Sequence, residues 1–100
     1  MLRISEINIA LVKPKDGLIG FASLVVNDAV FLGGIGIYQK LNGGHRLTYP
    51  TRKAGAQNFD IFHPISRDAA QAIETAIFLK LSDVMNMQAG NAGHNSLDAT

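Results

Sequence analysis

The sequence predicts an α+β domain: an antiparallel sheet of four or five strands in meander order, followed by one long C-terminal helix. Two observations carry this. Residues 2–40 run apolar in strand-length segments separated by turn signals, Pro14-Lys15-Asp16-Gly17 and Asn27-Asp28. Segments so closely joined pair as hairpins, because parallel strands need a long crossover between them. From Arg67 the period becomes helical, with apolar residues at Ala69, Ile73, Ala76, Ile77, Leu81 and Val84.

Each element has its own warrant. Residues 2–12 alternate, with Ile7, Ile9 and Leu11 on one face and Leu2, Ile4, Ala10 and Val12 on the other. Residues 18–26 form a second strand: Leu18, Ala22, Leu24 and Val26 point one way, and Ile19, Phe21 and Val25 the other. Apolar character on both faces marks a central strand covered on both sides. Residues 29–40 are strand-like but contain Gly33, Gly34 and Gly36. A phosphate-cradling loop would need a helix directly after these glycines. Ile35, Ile37 and Tyr38 continue as strand instead, so the glycines predict a bulge.

Asn42-Gly43-Gly44 is a third turn, leading to a short strand over 45–49 that stops at Pro50. Residues 51–58 have turn composition and no period, which predicts an exposed loop. A last short strand is expected at 59–63, since His63 precedes a proline and is held extended. Ser66 suits a helix N-cap, and Asp68 suits the positive end of the helix dipole. Phe78, Leu79 and Met85 widen the apolar stripe beyond what one sheet face needs. Residues 1–86 therefore read as one domain, and the small polar residues of 87–100 as a disordered tail.

Bulk properties narrow the function classes. The chain has 100 residues, 47% hydrophobic and only 17% charged, with a net charge of +1. One small core is the most such a length can bury, so the apolar excess predicts a homodimer. With no cysteine, disulfides, zinc-thiolate sites and cysteine nucleophiles are excluded. No apolar run approaches the roughly 20 residues of a membrane span, and the start of the chain lacks a signal-peptide core. The expected location is the cytoplasm.

Few residues suggest chemistry. In an extended 59–63 segment Asp60 and His63 fall on opposite faces, which excludes a dyad between them. His45 and His63 lack a third ligand at diagnostic spacing, so no metal site and no cofactor is expected. Ser66 lacks a nucleophile-elbow context. Enzyme function has no positive evidence. Cations are another matter, because no Asp or Glu occurs between Ala29 and Phe59 while Lys40, Arg46, Arg52 and Lys53 all do. With Arg67 at the helix start and Tyr49 as a candidate stacking ring, they form a candidate nucleic-acid site. The alternative is a half-buried Tyr49 with the cations merely solvated.

The order of these residues resembles the SpoVG family. The resemblance is carried by the run from Phe31 through Asn42-Gly43-Gly44 to Tyr49, by Pro50-Thr51-Arg52-Lys53, and by Asp60-Ile61-Phe62-His63-Pro64-Ile65 before the helix. It implies a small homodimer with an antiparallel sheet and a C-terminal helix. It also implies a regulator that binds DNA, and in some cases RNA, and affects septation and sporulation, without catalysis or cofactor. On matching positions it makes Arg52 and Lys53 phosphate contacts and Asp60, His63 and Pro64 structural residues. The chain reads as a divergent member, glycine-rich in its third strand and poor in charge after its helix. The alternative from another class is a structural or protein-interaction module using the helix stripe or a sheet edge.

Overall fold

The computed structural model of the chain describes residues 2–98, with side chains as far as residue 87. Strands β1 (Ile4–Lys15), β2 (Leu18–Val26), β3 (Val30–Gln39) and β4 (His45–Thr48) form one antiparallel sheet in meander order. Strands β5 (Thr51–Ala54) and β6 (Gln57–Asp60) form a separate two-stranded ribbon, and helix α1 (Arg67–Asp98) follows. The fold class is the α+β arrangement expected from the sequence.

Both early turns work by left-handed backbone. Asp16 and Gly17 have φ of 53° and 91°, and Asn27 and Asp28 have φ of 54° and 53°. Two consecutive positive values define the turn whose twist matches a two-residue hairpin, and Asn, Asp and Gly tolerate them best. The second turn is also fastened to the start of the chain. Asn27 N donates to Arg3 O at 2.7 Å, Arg3 N donates to Asn27 Oδ1 at 2.8 Å, and the Arg3 and Asp28 side chains form an ion pair.

Bulges set which residues face the core. In β1 the register to β2 shifts between Ser5 and Asn8, and Glu6 takes a φ of 50°. An extra residue reverses the alternation, so Ile4 before the bulge and Ile7, Ile9 and Leu11 after it all pack on the core. Strict alternation had placed Leu2 and Ile4 on the other face. In β3 the shift falls across Gly33 and Gly34, opposite Ser23, with Gly34 at φ 77°. It brings Leu32, Ile35 and Ile37 to one side, which is the bulge the glycines predict. A third shift, between Leu18 and Gly20, puts Ile19 in the core with Ala22 and Leu24.

The core lies between the sheet and the first half of α1. Ile19, Ala22, Leu24, Ile35 and Ile37 meet Ile73, Ile77 and Leu81, and all eight are buried. The helix residues recur every four positions, so they line one stripe; full burial of such a side chain contributes about 1.5–3 kcal/mol. Ser66 caps the helix, with its Oγ accepting from Ala69 N at 3.1 Å, and Asp68 sits in the first turn. The helical backbone runs to Asp98, past the end expected near Asn86. The expected disordered tail, 87–100, falls almost wholly outside the residues whose side chains are described.

Three sequence expectations are corrected. Residues 51–58 are not a loop: Thr51–Ala54 and Gln57–Asp60 pair as the β5–β6 ribbon, with Thr51 opposite Asp60 and Ala54 opposite Gln57. Every residue of the ribbon is exposed, so no buried face imposes an apolar alternation that could be read. The last strand accordingly ends at Asp60 and does not span 59–63. Strand β2 is central in the sheet, but within one chain only its α1 side is covered; on the opposite side Phe21 is 42% exposed.

Candidate functional site

The cations singled out in the sequence occupy four places. Lys40 follows β3 in a turn closed by Lys40 N donating to Gly44 O at 3.0 Å. Arg46 lies on β4 directly across from Tyr38 of β3, and its guanidinium carbon stands 4.8 Å from the Tyr38 ring centroid. That contact holds a cation over an aromatic face. Arg67 opens α1 and is exposed.

Arg52 and Lys53 stand on the ribbon, paired across it with Phe59 and Asn58 respectively. Successive strand residues point to opposite sides, so the two cations flank the ribbon instead of sharing a face. Among the described residues none of these five cations has a carboxylate within salt-bridge distance. Arg3, by contrast, is engaged by Asp28. The ribbon leaves the sheet at Pro50, whose carbonyl accepts from Ile61 N at 2.9 Å and closes the ribbon's base.

Tyr49 takes the half-buried alternative. Its ring meets Phe62 edge-on, with centroids 6.0 Å apart, and it packs against the core. The hydroxyl is buried with no hydrogen-bond partner among the described residues. Burial raises the phenol pKa above its ordinary value, and the nearby Glu74 charge adds to this. The ring that does stand beside a free cation is Tyr38, which sequence reading missed. The available signal was the Asn42-Gly43-Gly44 turn, which sets a register pairing Tyr38 with Arg46.

Asp60 and His63 are brought together, contrary to the sequence argument. His63 Nδ1 lies 3.0 Å from Asp60 Oδ2, with both side chains about half exposed. The alternation argument fails because β6 ends at Asp60 and the chain bends at Ile61. His45 is occupied elsewhere, its ring 6.0 Å from that of Phe78. Phe78 is thereby part of the margin of the core, while Leu79 and Met85 remain exposed at 65% and 42%. Among the described residues no three His, Asp or Glu side chains gather as metal ligands, and no helix is long and apolar enough to cross a membrane.

Comparison with known proteins agrees with this layout. A sequence model of the SpoVG family matches residues 2–82. Two relatives carry the name "Putative septation protein SpoVG". The one from Phytoplasma australiense is 29% identical over 86 residues, covering 85% of this chain and 88% of the relative. The one from Finegoldia magna is 31% identical over 88 residues, covering 87% and 81%. The matched span runs from the first strand through the buried stripe of α1, taking in the sheet, the ribbon and the Asp60–His63 joint, and on that footing the chain belongs to the SpoVG family.

Proposed function

We propose that this chain is a non-enzymatic, cytoplasmic regulator that binds nucleic acid, DNA or RNA, in a process tied to septation or sporulation. The link to septation rests on the names of its relatives. The observation that carries nucleic-acid binding is charge segregation: β2, β3, β4 and β5 contain no carboxylate, while Arg46, Arg52 and Lys53 stand exposed on them. Cations that outnumber the acids around them, Asp60 on β6 being the carboxylate of the ribbon, attract a polyanion and gain by displacing its counterions. Lys40, in the turn after β3, and Arg67, at the start of α1, add further exposed cations.

The active form in this reading is a homodimer. Support comes from apolar residues left uncovered on α1, namely Leu79, Met85 and Met87, and from an open groove beside α1 whose apolar floor of Leu2, Ile4, Ala72, Ala76 and Leu79 is edged by Asp68, Gln71 and Thr75. Pairing doubles every cation, which a protein of net charge +1 needs for useful affinity. Light scattering at micromolar concentration should give twice the mass of one chain.

A gel shift with mixed DNA and RNA across a salt series tests the binding. Affinity that falls steeply as salt rises is the expected result. The same exposed helix residues favour a second reading, a protein-interaction module. Absence of any shift, together with salt-insensitive binding of a protein partner that is lost in Leu79→Ser, would select it.

A further inference from the structure

The sheet face turned away from α1 carries three aromatic rings that no part of the described chain covers fully. Phe21 and Phe31 are 42% and 68% exposed. Phe21 lies directly across from Gly36, and Tyr38 directly across from Arg46. Glycine shapes this surface. A Cβ built at Gly33 would stand 2.9 Å from the Phe31 ring, and one at buried Gly36 would stand 2.6 Å from Thr48 Oγ1 and 3.3 Å from the Tyr38 ring. The Phe31 ring therefore reclines over the backbone of Gly33, where a larger residue would prop it up, and Tyr38 packs with Thr48 over Gly36. Beside Phe21 is a depression of about 230 Å³ with Asn8 and Ser23 on its wall, able to hydrogen-bond the edge of a flat polar group.

We propose that this face is a stacking platform for the bases of a single-stranded nucleic acid. The proposal rests on the nucleic-acid reading above and adds the strandedness of the ligand and the surface that takes it. The exposed Phe21 and Phe31 rings offer π-faces to bases, which stack without regard to sequence, while Arg46 already lies over the Tyr38 ring. The electrostatics suit a phosphate backbone, because β2, β3 and β4 hold no acid and Arg46 stands over Tyr38 at the edge of the platform. At the same end of the sheet, Lys13, Lys15 and Lys40 outnumber the lone carboxylate of Asp16. A second copy fits less well. A two-fold contact would set this predominantly cationic face against itself.

The experiment uses the full chain with a fluorescein-labelled oligothymidylate and a labelled mixed-sequence duplex of equal length. Phe31→Leu and Phe21→Leu keep an apolar side chain but remove the ring. Each should weaken oligothymidylate binding about ten-fold, as loss of one base–ring stack does, and leave duplex binding and its salt dependence unchanged. Wild-type affinity for the single strand in Phe31→Leu would overturn the proposal, as would equal losses on both ligands. Duplex binding without single-strand binding in the wild type sinks the platform alone; binding of neither sinks the nucleic-acid reading with it. A fall from dimer to monomer mass in Phe31→Ala would identify the face as an interface between copies, again overturning the proposal.

Discussion

His63 Nδ1 sits 3.0 Å from Asp60 Oδ2 across the step where the ribbon gives way to the helix. Two restraints act on this short step, the other being Ile61 N donating to Pro50 O. The backbone bond closes the ribbon, and the side-chain pair spans the bend that redirects the chain toward Pro64. Both partners are about half exposed, so solvent screens their attraction. A double-mutant cycle on Asp60→Ala and His63→Ala, followed by urea unfolding, should give a coupling of about 0.5 kcal/mol. Strict additivity of the two variants would mean that the pair contributes nothing in solution.

The helix start depends on one hydroxyl. Ser66 Oγ accepts from Ala69 N at 3.1 Å, and no neighbouring side chain shares that role among the described hydrogen bonds. Ser66→Ala should cost about 1 kcal/mol, while Ser66→Asp should retain nearly all the stability because a carboxylate caps as well and also suits the dipole. Chemical denaturation of the three proteins tests the ranking. An alanine variant as stable as the wild type would show that water replaces the cap at no cost.

The cap, the turns and the family motifs were legible in the sequence because each is a local matter of side-chain chemistry. Asn27-Asp28 and Asp16-Gly17 announce hairpins by tolerating positive φ, and Ser66 announces a helix by its oxygen. Facing was less legible. Ile4 and Ile7 lie an odd number of positions apart, so alternation assigns them to opposite sides; the bulge at Glu6 unites them, and glutamate gives no sign of a left-handed residue. In β3 the same device was readable because Gly33 and Gly34 advertise it. The ribbon was invisible for a different reason. With Thr51 to Ala54 and Gln57 to Asp60 all exposed, no hydrophobic pattern exists to be read. The candidate site shows the same divide: the charge segregation is a sequence property, whereas Tyr38 beside Arg46 and Tyr49 packed against the core depend on register and packing.

Tyr49 offers a test of packing at high pH. Its buried hydroxyl has no partner among the described residues, so the fold bears the cost of desolvating it. Tyr49→Phe removes that cost and should stabilise the protein by about 1 kcal/mol at neutral pH. The phenol pKa is raised above 10.0 by burial, with Glu74 adding to it. In the range above 10.0 the unfolded chain loses this proton while the folded chain keeps it, so the unfolded state binds fewer protons. The stability contribution of the protonated phenol is thus fully present below pH 10.0 and is lost as pH rises through the folded value. The wild type should lose stability in alkali more steeply than Tyr49→Phe. Parallel stability curves for the two proteins would show that the hydroxyl is hydrated in solution.

Under the proposed nucleic-acid reading, the placement of Arg52 and Lys53 gives a specific expectation for the salt dependence of duplex binding. A single exposed strand would carry two neighbouring cations to opposite sides, and only one of them would meet a flat ligand. In the paired ribbon of β5 and β6, Arg52 stands on the side of Phe59 and Lys53 on the side of Asn58. A two-stranded ribbon is narrow enough to enter the major groove of a duplex, and there cations on its two sides face the two phosphate walls. Both should then displace counterions. Arg52→Ala and Lys53→Ala should each flatten the slope of log affinity against log salt by about 0.9, and the double variant by about twice that. Loss of slope in one single variant but not the other would show that the ribbon lies flat on its ligand with one side engaged. An unchanged slope in the double variant would remove the ribbon from the binding surface and leave Arg46 and Lys40 as the cations to examine.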